Sequence, residues 1–333
     1  METQIGMTCF VTGATGYVGA ALVKRLAGSG RTVHALYRSI SKTEQLKHPR
    51  IRWHQGELLD SSSLEKAMSG CRYVFHTGAQ TGIWCQNGDS FFQINVRGTK
   101  NILDCAYSLG VEKVVVTSTA GVFGPSDIPV DESSGFASRF FTEYEKTKAA
   151  ADRLALQYAR EKMNIVIVHP TRIYGPGPLG QSNSITRLVK LYMEGKWRFL
   201  PVNRLSRGNY VYIGDVVEGH ILALEKGLPG ESYILGGENI SYQNFFRTLK
   251  TVSGKNHYLL RLPARGVLGF SCFLLFLADI FKIPPPVTPG MVRKLNADWM
   301  ISSRKAEKKL GYCPASLAEG LQKTVFWLKS RQI

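Results

Sequence analysis

The sequence predicts an α/β fold, a doubly wound parallel sheet carrying a smaller C-terminal domain. Three observations point to it. Short apolar stretches rich in Val, Ile and Phe alternate with helix-period segments through the first half of the 333 residues. These stretches are near-continuous rather than alternating, which marks strands covered on both faces. After His169 the pattern gives way to loops bearing Gly and Pro and to irregular apolar runs.

In chain order, strands are expected at residues 8–12, 32–38, 51–57, 73–76, 113–118 and 165–169, with helices between them at 16–29, 61–69, 89–109 and 143–162. RIYGPGPLG, residues 172–180, reads as loop. Short strands at 210–213 and 233–235 then flank a helix at 215–225. Residues 1–170 are therefore expected to form the sheet domain, with later returns near 209–236. Residues 171–208 and 237–330 form the smaller domain, expected to bind substrate.

Composition narrows the class. Hydrophobic residues make up 44% and charged residues 20%, ordinary values for a water-soluble globular protein. The six cysteines include no CxxC pair, so reduced thiols are expected and a disulfide framework or metal site is not. METQIGMTCFVTG has no basic stretch followed by an apolar run, so a secretory signal is not expected and a cytoplasmic location is. The net charge of +17 suits an anionic partner, but its Lys and Arg are spread along the chain. No zinc pattern or basic-aromatic signature accompanies them, so nucleic-acid binding is not expected.

VTGATGYVG closes the first expected strand. Gly13 permits a tight turn, Gly16 lets backbone approach a pyrophosphate, and Gly19 lets the next helix pack close to the sheet. The helix N-terminus offers free N–H groups to phosphate. Thr12, Gly13, Thr15, Gly16, Tyr17, Val18 and Gly19 are thus candidate dinucleotide-binding residues on a Rossmann-type sheet.

Further segments follow in order: GELLD at 56–60, HTGA at 76–79, INVRGT at 94–99, VVVTSTAGVFG at 114–124, HPTRIYGPG at 169–177 and NYVYIGDVV at 209–217. Together with the GxxGxxG loop they resemble the extended short-chain dehydrogenases/reductases of the NAD-dependent epimerase/dehydratase superfamily, over nearly the whole chain. The resemblance implies that Glu57 and Leu58 flank the adenine and that Thr77, Gly78 and Ala79 line the cofactor. It implies further cofactor contacts from Asn95, Thr117 and Ser118, and from His169, Pro170, Thr171 and Arg172.

The family's acid/base tyrosine follows the fifth strand, opens the next helix and precedes a lysine by four residues. Three pairs have that spacing: Tyr144/Lys148, Tyr158/Lys162 and Tyr192/Lys196. Only Tyr144 has the right context. A phenol with a pKa near 10 is a poor acid or base at neutral pH unless that pKa falls. An ammonium one turn away and a positive nicotinamide ring are expected to lower it. The hydroxyl that holds the substrate oxygen falls on Thr119, with Ser118 as the fallback. Thr81, Trp84, Thr119, Ala120, Gly121, Tyr174 and Leu179 are the candidate substrate-pocket residues.

At the end of the second strand, where an NAD enzyme of this type usually has an acid, stands Tyr37, followed by Arg38 and then Lys42. An arginine there suits a 2′-phosphate, so NADP(H) is favoured and NAD(H) stays open. The late segment RGNYVYIGD looks more like dihydroflavonol-reductase-like and 3β-hydroxysteroid-dehydrogenase-like proteins than like sugar-nucleotide epimerases, whose arginine sits one place away from Arg207. The expectation is a reductase or dehydrogenase of a hydrophobic small molecule. A sugar-nucleotide epimerase or dehydratase is the first rival and a non-catalytic dinucleotide sensor the second. The family also implies a homodimer through helices near 95–109 and 144–162.

GVLGFSCFLLFLADIFKI, residues 266–283, carries only two charges and is apolar on every side if helical. Three readings stay open: a buried lid helix, a wall of a lipophilic pocket, or a membrane-surface patch flanked by Arg261, Arg265 and Lys282.

Overall fold

The computed structural model describes residues 7–40, 43–44, 46–85, 89–200, 203 and 205–331. The first half builds β1 (Thr8–Thr12), α1 (Tyr17–Gly28), β2 (Thr32–Tyr37), β3 (Ile51–Gln55), α2 (Ser61–Met68), β4 (Tyr73–His76), the short α3 (Ser90–Phe92), α4 (Gly98–Ser108) and β5 (Lys113–Thr117). Then come β6 (Ser126–Val130), α5 (Glu143–Glu161), β7 (Ile165–Pro170) and β8 (Arg172–Tyr174). Six strands and α5 thus fall within a residue or two of the sequence reading. The helix expected at 89–109 is instead broken by a π-helical turn, Gln93–Arg97, centred on the buried Asn95.

The main sheet has seven parallel strands, among which β4 and β2 flank β1. Its full order is β11-β7-β5-β4-β1-β2-β3, where β11 is Ser232–Leu235. The chain therefore runs outward one way through β2 and β3 and returns the other way through β4 and β5. The carboxyl ends of β1 and β4 diverge at this switch point, which is where open α/β sheets take ligands.

Each face of the sheet is covered. On one side α1 and α7 (Ile213–Lys226) pack Leu22, Leu26, Val217 and Leu224 against Val11, Val115 and Val168. On the other, α2, α4 and α5 pack Leu64, Ile102 and Ala155 against Phe10, Val114 and Ile165. Each fully buried Val, Leu, Ile or Phe among these contributes about 1.5–3 kcal/mol. The buried Lys113 does not break this core, because its ammonium donates to the Leu224 and Gly227 carbonyls (2.6 and 2.7 Å) and so caps the end of α7. Burial pushes its pKa down.

The remaining elements are α6 (Ser184–Met193), β9 (Phe199–Leu200), β10 (Arg207–Tyr212), β12 (Glu238–Ser241), α8 (Tyr242–Ser253), β13 (Leu260–Arg261), α9 (Ala264–Phe281), α10 (Pro289–Asn296), β14 (Trp299–Ile301), α11 (Arg304–Leu310) and α12 (Leu317–Ser330). Of the expected late returns, β11 joins the main sheet, whereas β10 forms a separate three-stranded sheet with β8 and β12. Tyr174, Tyr192, Phe245 and Leu321 give that region its own core. Among the described residues, no helix is long and apolar enough to cross a membrane.

Candidate active site

The glycine loop is shaped by contacts that exclude any side chain. Gly13 has φ +63°, and a Cβ there would lie 2.7 Å from Gly78 Cα. A Cβ on Gly19 would lie 2.1 Å from the Gly13 carbonyl oxygen, so α1 can start only this close to the loop with glycine. The N-terminus of α1 has no side-chain cap, which leaves its leading N–H groups available to an anion. These residues fit a dinucleotide pyrophosphate. The Leu58 side chain lies against Gly78 and Gly98, beside this loop.

Thr12 locks the loop to the end of β4. Its hydroxyl accepts from the Gly78 N–H at 3.0 Å, and its carbonyl accepts from the Thr77 hydroxyl at 2.6 Å. It also bonds His76 Nδ1 at 2.8 Å, and His76 Nε2 bonds the Thr99 hydroxyl at 2.9 Å. Thr99 spends its own proton on the Asn95 carbonyl. His76 Nε2 is therefore the donor and Nδ1 the acceptor, a neutral ring. Burial, followed by the nearby Lys148, holds its pKa down to about 3.

Asn95 continues this chain. Its side chain exchanges hydrogen bonds with the Gln80 backbone and donates to the Thr147 hydroxyl at 3.0 Å. Thr147 in turn donates to the carbonyls of Glu143 and Tyr144. A buried polar line thus runs from the glycine loop to the first turn of α5. Asn95, expected to touch the cofactor, has its amide engaged in holding that turn. The need to turn this amide inward accounts for the π-helical turn.

Tyr144 is half-buried at the start of α5, and Lys148 is 1% exposed one turn later. Thr142 caps the helix through Glu145 N–H. Thr119 caps a 3-10 turn, Ala120–Phe123, by accepting from Gly121 N–H. That turn packs on the first turn of α5, where a Cβ on Gly121 would meet the Glu145 side chain at 3.1 Å. The segment headed by Thr119 thus lies against the turn of α5 that bears Tyr144, with Lys148 one turn further on. Ser118 differs: its side chain is buried and donates to Asp152 at 2.5 Å. His169 Nε2 meets the same Asp152 oxygen at 3.1 Å, with its ring against Phe123.

Burial dominates the electrostatics of the pair. Burial pushes the Tyr144 phenol well above its ordinary pKa, and Asp152 and Glu145 add to the rise. Burial pushes the Lys148 ammonium down, against the pull of Asp152. The protein's own groups therefore favour the protonated phenol.

Several expected site residues are committed elsewhere. Tyr17 is buried and donates to the Gly175 carbonyl at 3.1 Å, so only its backbone is left for phosphate. The Thr117 hydroxyl faces α7 and bonds His220 at 2.8 Å. Thr171 donates to Asn209. Arg172, expected beside the nicotinamide, donates to Tyr242 and Tyr210 at 2.6 and 3.2 Å and lies over both rings. Tyr174, expected in the substrate pocket, is fully buried in the smaller region's core against Gly320. Trp84 donates to Asp279 of α9 at 3.2 Å, and Leu179 is exposed. Glu57 and Arg38 are exposed, the latter directly after β2. Lys42 lies outside the described residues. The sequence reading missed Asp152, four residues past Lys148 on the same face. It also missed Glu145, 1% exposed and paired with Lys294 of α10 at 2.5 Å. A carboxylate inside the apolar register of α5 was the signal for both.

A glycine cradle at the switch point of a doubly wound parallel sheet marks a dinucleotide-binding fold. The chain belongs to the NAD dependent epimerase/dehydratase family, whose model matches residues 9–236. With that membership it is an NAD(P)-dependent enzyme acting on CH–OH groups. It is 33% identical to a Synechocystis sp. protein named after dihydroflavonol 4-reductase, over 96% of this chain and 94% of that one. It is 29% identical to sterol demethylase protein B of Methylococcus capsulatus, over 98% and 99%. Among solved structures it resembles UDP-glucose 4-epimerase from Thermotoga maritima, with a TM-score of 0.81 at 22% identity, covering 97% and 99%, a likeness of fold.

Proposed function

We propose that the chain is an NADP(H)-dependent reductase, or in reverse a dehydrogenase, of a carbonyl on a hydrophobic small molecule. What supports this is the packing of the turn headed by Thr119 against the first turn of α5, which bears Tyr144 and Lys148, while Ser118 is drawn away to Asp152. The bound nicotinamide supplies or accepts the hydride at the carbonyl carbon. Thr119 holds the substrate oxygen through its hydroxyl. Tyr144 gives that oxygen its proton, and the protonated phenol favoured by burial is the state that reduction needs. Lys148 holds the nicotinamide ribose and steadies the phenolate left behind. Arg38 pairs with the 2′-phosphate, since Tyr37 offers no carboxylate to a 2′-hydroxyl.

The apolar substrate class draws support from relatives named for sterol and ketone chemistry, such as sterol-4-alpha-carboxylate 3-dehydrogenase of Mus musculus, 26% identical. The sugar-nucleotide reading is weakened at Arg207, whose side chain is held by Asp298 and the Asp127 carbonyl. A panel of ketones and secondary alcohols, followed by absorbance of the reduced nicotinamide, tests the proposal. Net oxidation of NADPH by apolar ketones supports it. Interconversion of sugar nucleotides without net redox change would favour the epimerase reading.

A further inference from the structure

The α9 helix is not the buried lid that its composition allowed. Phe270, Phe273, Phe276, Ile280 and Phe281 are each 54–64% exposed. At 100° per residue they fall on one arc about 140° wide. Ser271 and Ala278, both buried, point the other way and seat the helix on the protein. A contiguous apolar face of this kind is rare on a soluble surface without a partner.

The charges around this face choose among its occupants. Arg261 and Arg265 stand at one end and Lys282 at the other, all exposed, and among the described residues none is in a salt bridge. The helix has one acid, Asp279, which is hydrogen-bonded to Trp84. A second copy meeting this face about a two-fold axis would set cations against cations. An anionic lipid surface meets both features at once, phenylalanines entering the acyl boundary and cations meeting headgroups. Beside the face a cleft of about 340 Å³ opens between α9 and α10, lined by Leu268, Val292 and Phe141.

We propose that the outward face of α9 is a docking surface for an anionic bilayer, on which the protein lies without crossing it. The proposal stands on surface geometry and does not depend on the chemistry assigned to Tyr144. The test is co-sedimentation of the whole chain with phosphatidylcholine vesicles, with and without phosphatidylserine. Binding is expected to the anionic vesicles and to fall about tenfold or more in the double variant Phe273→Ser/Phe276→Ser, with an unchanged melting temperature. Arg265→Glu/Lys282→Glu should weaken the same binding. Absence of binding, equal binding to both vesicles, or a dimer that Phe273→Ser dissociates would each overturn the assignment.

Discussion

The Ser118 hydroxyl donates to the Asp152 carboxylate at 2.5 Å, deep between β5 and α5. This contact favours Thr119 over Ser118 as the hydroxyl proposed to hold the substrate oxygen. Ser118 is occupied and buried, and Thr119 is left half-exposed beside α5. Thr119→Val should lower turnover about 10²-fold or more, as removal of an oxyanion donor does. Ser118→Ala should cost about 1–3 kcal/mol of stability by leaving Asp152 short of a donor. Turnover and melting curves of both variants check the pair, and the opposite pattern would move the role to Ser118.

Arg38→Ala should weaken NADPH by one to two decades, the worth of a charge-assisted pair of about 1.5–3 kcal/mol, and leave NADH almost unchanged. Titration calorimetry with each dinucleotide measures this. Equal binding of both by the wild-type protein would contradict the 2′-phosphate assignment.

Acid should destabilise the fold through its buried histidines. Burial holds His76 down to about 3 and His220 down to about 4, against 6.5 for a free ring. Below about pH 6.5 the unfolded chain takes up protons that the folded chain refuses, so stability is full above that value and declines as pH falls towards 3. Urea midpoints taken from about pH 7 to about pH 4 should fall, and fall less in His220→Gln. A flat profile would show that these rings are not neutral in the fold.

A homodimer through α4 and α5 is expected. Tyr107 is 56% exposed and Leu109, just past α4, is 39% exposed, which leaves apolar surface on that side. Light scattering should give twice the 37.0 kDa chain mass, and Tyr107→Glu should halve it. A wild-type monomer would reject this interface.

Much of this fold could be read from the chain because its strands are fully buried. Phe10 and Val11, or Val74 and Phe75, are apolar on both faces, so each strand is a short, unbroken signal. The glycine loop is legible for a similar reason, since its geometry is local. The rest depends on residues distant in sequence. Nothing near Arg172 announces Tyr242, 70 positions on, and nothing near Glu145 announces Lys294. Residues 266–283 were undecidable by pattern, because a run apolar on every side does not say which side faces the protein. The break at Asn95 is set by Gln80 and Thr147, which only the tertiary fold brings together.

The central claim is that Tyr144 hands its proton to the substrate oxygen. Steady-state turnover of Tyr144→Phe with NADPH and a reducible apolar ketone tests it most directly, with dinucleotide affinity measured on the same protein. Tyr158→Phe and Tyr192→Phe serve as controls, since those hydroxyls are bound to Asp104 and the Lys255 carbonyl away from the site. The expected result is a loss of turnover of about 10²–10⁴-fold in Tyr144→Phe, with NADPH affinity little changed and both controls near normal. Near-normal turnover in Tyr144→Phe would contradict the account.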